Sequence, residues 1–324
     1  MNAKKSITCI GPVNQGEKRP LFSVMIPTYN CAQYLRVTLE SVLSQDLGPD
    51  EMQIEVIDDG STLDDPESVV NEIGKGRVGF FRNSINLGAT QNFNNCLKRS
   101  KGKYVHILHG DDYVGPGFYL AINQLIQQEP TYGLFGTRTF VMDAEGLLNF
   151  ISPKFPQLKV INKTTNLFLD HCDINILYFP GMVINRKCVE STGGFDESFG
   201  HVADWDMWIR LMYYHGAILS NIPLAYYRMF DLNDSARHIR LGNNVIEILR
   251  AYQGFQTILP NLDNAIFHKK MQEIAYFQYN RFLCNKDACA ALANYEVWKK
   301  LTPLKKRILE HFKFYLKAIG RQLM

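Results

Sequence analysis

The chain has 324 residues, 46% of them apolar and 21% charged, enough to bury a full core as one large domain with an extension or as two domains. Its formal charge of +3 is too small to imply a nucleic-acid partner, and no run approaches the roughly eighteen uncharged apolar residues of a membrane span. Seven scattered cysteines without a Cys-x-x-Cys pair, and an N-terminus interrupted by Cys9, Pro12 and Asn14, argue against a disulfide framework and a signal peptide, so a cytoplasmic location is expected.

Residues 1–20 read as a lead-in, with a weak short strand at Ile7–Ile10. The apolar run Phe22–Ile26, stopped by Pro27, predicts the first strand of a parallel sheet. A turn follows, and Asn30 is placed to cap a helix whose Tyr34, Leu35, Leu39, Val42 and Leu43 share one face. Gln53–Ile57 predicts a second strand, Asp64–Ile73 a helix with Pro66 in its first turn, and Gly79–Phe81 a third strand. Arg82–Gly88 is a loop, and Thr90–Leu97 a helix ending in Lys98 and Arg99. Tyr104–Leu108 is a short, mostly apolar run that ends in Gly110-Asp111-Asp112, which fits a buried strand. Strand and helix thus alternate three times, the pattern of an α/β sheet with crossover helices. No G-x-G-x-x-G follows the first strand, so the dinucleotide fingerprint is missing.

Further on, a helix is expected from Pro116 to Gln128, then strand and hairpin over Pro130–Met142. Residues 149–170 show the least periodicity. Phe179–Lys187 reads as a strand meeting a helix, Gly193–Asp196 as a tight turn, Asp204–Tyr214 as a buried helix and Ile218–Tyr227 as a closing strand. Beyond Asn233 helices are expected at about 240–256, 262–281, 287–299 and 302–320. The last carries a basic face and an apolar stripe over 299–321, which suits either a membrane interface or packing on the protein or a partner subunit.

Three acidic clusters carry the chemistry: Asp58-Asp59, Asp111-Asp112 and Asp204 with Asp206. The first two end neighbouring predicted strands and should face one crevice, where open α/β sheets bind ligands. Adjacent carboxylates there can hold a hard divalent cation, or form no more than a polar turn. Asp204 opens a helix, so it reads either as a cap or as a general base toward a hydroxyl.

Several stretches in order resemble the inverting glycosyltransferases of family 2, of the bacterial cell-surface polysaccharide type. These are S-V-M-I-P-T-Y-N with L-x-x-x-L-x-S-V-L-S-Q over 22–45, I-D-D-G-S-T at 57–62, Asn86-Leu87-Gly88 with Asn92, H-G-D-D at 109–112, G-G-F-D-E-S-F at 193–199 and A-D-W-D-M-W-I-R at 203–210. The resemblance covers roughly 22–230. It implies a GT-A fold, a Rossmann-like mixed sheet flanked by helices, over 1–232, with a helical C-terminal extension over 233–324. It further implies transfer of a sugar from a nucleotide-diphosphate donor, of the UDP type, to a hydroxyl of a glycan or lipid-linked acceptor. Carried over residue by residue, Pro27, Tyr29 and Asn30 would line the nucleotide pocket. Asp58 would meet the base, and Asp59 the turn or the ribose. Asn86, Gly88, His109 and Gly110 fall at donor-side positions, and Arg228 would meet the diphosphate. Asp111 would ligate Mn²⁺ or Mg²⁺, and Asp204 would be the general base.

This sequence departs from the family pattern twice. His109 stands where the first acid of D-x-D is usual, and Ala203 where glutamate is usual. Arg82 is a further cation near the crevice, Arg210 is expected to form a salt bridge on its helix, and Trp205 is an acceptor-side candidate. A non-catalytic nucleotide-sugar or glycan binding protein and a metal-dependent nucleotide-diphosphate hydrolase are the alternatives on the same fold. A peripheral contact with the inner membrane face and a homodimer are both compatible with the C-terminal helices.

Overall fold

In the computed structural model the described residues are 7–13, 16, 18–155, 160–161, 175–230, 234–259 and 262–309. The chain divides into two compact units, Met1–Phe230 and Asp231–Met324.

The first unit is built around β1 (Phe22–Thr28), which is buried along its whole length. A strand with both faces covered needs the continuous apolar run found there. It pairs in parallel with β2 (Met52–Asp58) on one side and β4 (Tyr104–Ile107) on the other, and β2 pairs in parallel with β3 (Gly79–Arg82). The crossovers are α1 (Ala32–Leu43), α2 (Pro66–Gly74) and α3 (Ala89–Arg99). Leu35, Leu39 and Val42 of α1 are buried, which is the apolar face expected from their spacing.

Beyond β4 the sheet becomes mixed. The chain continues through β5 (Tyr113–Val114), α4 (Phe118–Gln128), β6 (Leu134–Met142), β7 (Leu148–Ile151), β8 (Val160–Ile161), β9 (Met182–Asn185), α5 (Arg186–Thr192), α6 (Ala203–His215) and β10 (Ala217–Arg228). Among the described residues the sheet has ten strands with main order β3-β2-β1-β4-β9-β6-β10-β5, while β7 pairs with β6 and β8 with β10. Strand β9 is antiparallel to both β4 and β6, and β10 runs parallel to β6. This mixed sheet flanked by helices is the GT-A architecture that the family resemblance implied.

The register positions the crevice. Thr28 of β1 is level with Asp58 of β2, and Asp58 with Arg82 of β3. Past the end of β4 the pairing continues through Leu108 N–H to Met25 O and Gly110 N–H to Pro27 O, each at 3.0 Å. The carboxyl ends of four strands therefore present Arg82, Asp58, Thr28 and the Gly110 loop in one row.

The second unit contains α7 (Asp234–Arg240), α8 (Asn243–Phe255), α9 (Asn264–Cys284) and α10 (Ala288–Leu301). Helices α9 and α10 pack through Tyr276, Tyr279, Tyr295 and a buried Trp298. Asp287 accepts the Ala290 N–H at the start of α10 and pairs with Arg240 at 2.7 Å.

Several expectations are corrected. Asn30 does not cap α1: its backbone is left-handed (φ 49°) and its side chain turns toward residues 62 and 63. The Ala32 N–H donates instead to Asp64 Oδ2 at 2.7 Å, so the cap comes from the loop before α2. Ile7–Ile10 is no strand but a single bridge from Ile7 to Asp196. The helix expected at about 240–256 is found at Asn243–Phe255, and a further short helix that was not expected, Asp234–Arg240, precedes it across Leu241 and Gly242. The hairpin partner of β6 lies at Leu148–Ile151, beyond the 130–142 segment. Most of the aperiodic 149–170 stretch, and the basic tail past Leu309, lie outside the described residues.

Gly102, between α3 and β4, tests the tightness of this packing. A Cβ there would stand 2.5 Å from Ser23 N and 2.6 Å from Phe22 C, whereas one at Gly11 meets nothing within 4 Å. Thermal melts should show Gly102→Ala destabilised by about 1–3 kcal/mol or more and Gly11→Ala within about 0.5 kcal/mol of the parent.

Candidate active site

At the left of the row, Asp58 is fully buried. One carboxylate oxygen accepts from Arg82 Nε at 2.5 Å and the other from Ser61 Oγ at 2.5 Å. The Ser61 N–H lies 3.2 and 3.3 Å from the two oxygens. A base that meets Asp58 thus has to share a carboxylate already engaged by Arg82, which is the more exposed partner of the pair. Asn30 fastens the loop from the other side: its N–H donates to Ser61 Oγ, and its Oδ1 accepts the Thr62 and Leu63 N–H groups at 2.9 and 3.0 Å. Gly60 has φ +73° and a Cβ there would come within 3.1 Å of Asn86 N, so the turn admits only glycine without strain. Pro27 is buried under this turn, while Tyr29 and Asn86 are exposed beside it.

Asp59 is buried and faces inward. It accepts the Leu87 and Gly88 N–H groups at 3.0 and 2.9 Å and Asn83 Nδ2 at 2.8 Å. Asn92 extends this network, accepting from Asn83 and donating to Ile57 O. Its carboxylate ties the 83–88 loop to the strand end. Gly88 takes part through its backbone N–H.

The Asp111-Asp112 loop is held by main-chain contacts. Thr38 Oγ lies 3.0 Å from Gly110 O and 2.6 Å from Asp112 O, within reach of both. A Cβ on Gly110 would meet Cys31 Sγ and Thr28 Oγ1 at 3.0 Å, so glycine lets the loop lie against β1. Cys31 itself is pushed up to about 12 by burial, so its thiol stays protonated and unreactive. The Arg228 N–H donates to Asp112 Oδ1 at 2.8 Å. Its guanidinium donates to Asp111 O, Asp143 O and Ala144 O and lies over the Tyr34 ring at 4.6 Å. Arg228 is buried and braces the loop. A buried guanidinium satisfied by carbonyls is a strong structural clamp.

Asp111 and Asp112 lie side by side. Burial pushes Asp111 up to about 6, and burial together with the Asp111 charge drives Asp112 well above the usual carboxylate range. Asp112 Oδ2 is buried without a hydrogen-bond partner. Ligand atoms of His109, Asp111 and Asp112 all lie within 4.8 Å of one another. An orphaned buried carboxylate oxygen beside a second carboxylate is costly unless a cation compensates it, and oxygen donors suit Mn²⁺ or Mg²⁺. The residues present therefore fit a divalent cation.

His109 lies in an aromatic cluster. It stacks on Phe93 at 5.0 Å and 10° and leans on Phe179 at 4.5 Å. Phe179 in turn packs against Phe195 and edge-on to Trp208 of α6. Burial pushes the imidazole down to about 4, so it is neutral at ordinary pH. A carboxylate at 109 would sit between the two phenyl rings, which accounts for the departure from the usual acid.

Asp204 begins the first turn of α6 and is half-buried. Its Oδ2 accepts Asn175 Nδ2 at 3.0 Å and its Oδ1 the Trp205 N–H at 2.7 Å. Burial pushes the carboxyl up to about 6, against the opposing effects of the Trp205 N–H, His201 and Asn175. Trp208, one turn along, is the residue that packs on Phe179. Asp204 and the Asp111 loop are thus anchored to one aromatic cluster. Arg210 pairs with Asp206 at 2.7 Å on the same helix, as expected. Trp205 is only 3% exposed, so it presents no open face to an acceptor, contrary to expectation.

The family model of Glycosyl transferase family 2 matches residues 23–193, more than half of the chain. The chain belongs to this family. An uncharacterized glycosyltransferase of Mycoplasma genitalium is 30% identical over 154 residues, covering 47% of this chain and 50% of that protein. The Escherichia coli UDP-Glc:alpha-D-GlcNAc-diphosphoundecaprenol beta-1,3-glucosyltransferase WfaP is 38% identical over 93 residues, 29% of this chain and 36% of its own. Among solved structures, the mannosyltransferase PcManGT from Pyrobaculum calidifontis in complex with GDP-Man and Mn2+ aligns over 98% of this chain and 84% of its own, with TM-score 0.53 and 17% identity, a likeness of fold. The chain spans at most half the length of the two sequence relatives named here.

In this family 2 glycosyltransferase the second departure also has a local cause. Ala203 is 1% exposed where α6 begins, so glutamate there would bury a second charge beside Asp204. Among the contacts missed in the sequence are Thr38, Asn83, Phe93 and Asn175. Thr38 alone left a signal, a polar residue between Leu35 and Leu39 on the buried face of α1. Thr38→Val keeps the shape and removes the hydroxyl. It should lower stability by about 1–2 kcal/mol in denaturant melts and weaken Mn²⁺ binding measured by calorimetry at least threefold.

Proposed function

We propose that the chain transfers a sugar from a nucleoside-diphosphate donor, of the UDP type, to a hydroxyl of a glycan or lipid-linked saccharide in surface-polysaccharide synthesis. The observation that carries this reading is Asp204: a half-buried carboxylate near pKa 6 at a helix start, anchored to the same aromatic cluster as the Asp111-Asp112 loop. The family membership sets the reaction class. The UDP-Glc and diphosphoundecaprenol in the name of the Escherichia coli relative support the donor and the acceptor.

Each residue has a task in this reading. Asp204 takes the proton of the acceptor hydroxyl as its oxygen attacks the anomeric carbon. Asn175 and the Trp205 N–H fix the carboxylate while leaving lone pairs for that proton. The bond from the anomeric carbon to the diphosphate oxygen breaks on the opposite face, so the configuration inverts. Asp58, with Arg82 at the pocket mouth, meets the base, and Pro27, Tyr29 and Asn30 shape that pocket. Asp111 and Asp112 would hold Mn²⁺ or Mg²⁺, which supplies electrostatic stabilisation of the departing nucleotide.

The lipid-linked acceptor would place the protein on a membrane surface. No described helix is long and apolar enough to cross a membrane. Leu304, Ile308 and Leu309 are exposed among Lys299, Lys300, Lys305, Lys306 and Arg307, which supports a peripheral contact with anionic lipid.

Two measurements test the reading. With a panel of nucleotide-sugars and a lipid-linked saccharide acceptor, Asp204→Asn should lower kcat by about a hundredfold or more with donor binding unchanged. Retention of the full rate would make the base assignment wrong. The carboxylate is the active form, so the wild-type rate should rise with pH through about 6 and level off above it; a rate that falls over that range contradicts the assignment.

A further inference from the structure

We infer that His109 is a metal ligand, so that this glycosyltransferase holds its divalent cation through one imidazole nitrogen and the carboxylates of Asp111 and Asp112. The inference rests on the metal-dependent reading above and adds the identity and chemistry of one donor atom.

Three observations carry it. His109 Nδ1 lies 3.6 Å from Asp112 Oδ2. That separation is too long for a hydrogen bond, but two donors bound to one ion at about 2.1 Å each lie about 3–3.6 Å apart. The partner atom, Asp112 Oδ2, has no hydrogen-bond partner and belongs to a residue that is 1% exposed. Its other oxygen is fixed by the Arg228 N–H, so the orphaned oxygen is held in place. Lastly, the imidazole plane is set by Phe93 and Phe179. A histidine kept only to fill space among phenyl rings would need no nitrogen aimed at an orphaned carboxylate. A ligand gains from having its ring orientation fixed before the ion arrives.

The chemical consequence is selectivity. Three oxygen donors favour neither Mn²⁺ nor Mg²⁺ by donor type, whereas an imidazole nitrogen suits the transition ions and is a poor donor to Mg²⁺ or Ca²⁺. The site should therefore prefer Mn²⁺ or Co²⁺ to Mg²⁺ by at least tenfold.

Pulsed EPR of Mn²⁺ bound to the full chain, with unlabelled and with ¹⁵N-histidine protein, reads the donor directly. The expected result is a nitrogen hyperfine coupling that changes with the isotope and disappears in His109→Asp while Mn²⁺ still binds. The preference for Mn²⁺ over Mg²⁺, measured by competition calorimetry, should shrink at least fivefold in the same variant. His109→Phe, which keeps the aromatic packing, guards against an effect of misfolding and should also lack the coupling. Mn²⁺ bound without histidine coupling in the wild type, or coupling that persists in both variants, overturns the inference and leaves the metal reading intact. Failure of Mn²⁺ to bind, alone or with UDP, overturns both, and sugar transfer undiminished by EDTA would then show that only the metal part of the proposed function has fallen.

Discussion

The candidate site depends on one constraint, the parallel register of β1 with its two neighbours. Because Thr28, Asp58 and Arg82 are level and Gly110 is hydrogen-bonded to Pro27 O, every functional loop leaves the sheet at the same height. A slip of one residue in β2 would turn Asp58 to the opposite face of the sheet and separate it from Arg82 and Ser61. The alternation along β2 opposes that slip, since Met52, Ile54 and Val56 pack in the core while Gln53 and Glu55 bond to each other on the opposite face. The core thus determines the position of the polar row that it does not contain.

The loops beyond the strands are stabilised mainly by backbone groups bound to a few buried side chains. Asn30, Asp59, Thr38 and Arg228 each reach across to a different segment and satisfy N–H or carbonyl groups that would otherwise be orphaned. Removing a carboxylate such as Asp59 would leave several donors unpaired at once. The aromatic cluster of Phe93, His109, Phe179, Phe195 and Trp208 plays the corresponding part on the right of the crevice.

Much of this was legible in the sequence. The strands β1, β2 and β4 and their crossover helices follow from apolar runs and helical spacing, and the acidic pairs mark the strand ends. Other features depend on contacts distant in the chain. Asn30 has the residue type of a cap, but only the folded loop shows that Asp64 takes that role and Asn30 binds residues 62 and 63. Arg228 follows two tyrosines at the end of a strand as the family pattern leads one to expect. Its burial beneath the 143–144 turn, from a hairpin placed too early in the sequence reading, directs the guanidinium to carbonyls. The two-residue β5 is too short to give any periodicity, and it exists because β10 offers it a partner. Phe93 and Asn175 carry no local mark, since their importance lies in neighbours 16 and 29 residues away.

The engagement of Arg228 bears on the sequence of binding events under the proposed reaction. Its guanidinium serves the carbonyls of Asp111, Asp143 and Ala144, while Asp111 and Asp112 place two adjacent acids where the diphosphate would lie. An anionic donor approaching these acids in their ionised state meets like charge in a poorly solvated pocket, where repulsion is weakly screened. The electrostatically favoured path is therefore ordered: the cation precedes the nucleotide or enters with it, and the nucleotide leaves in the company of the ion.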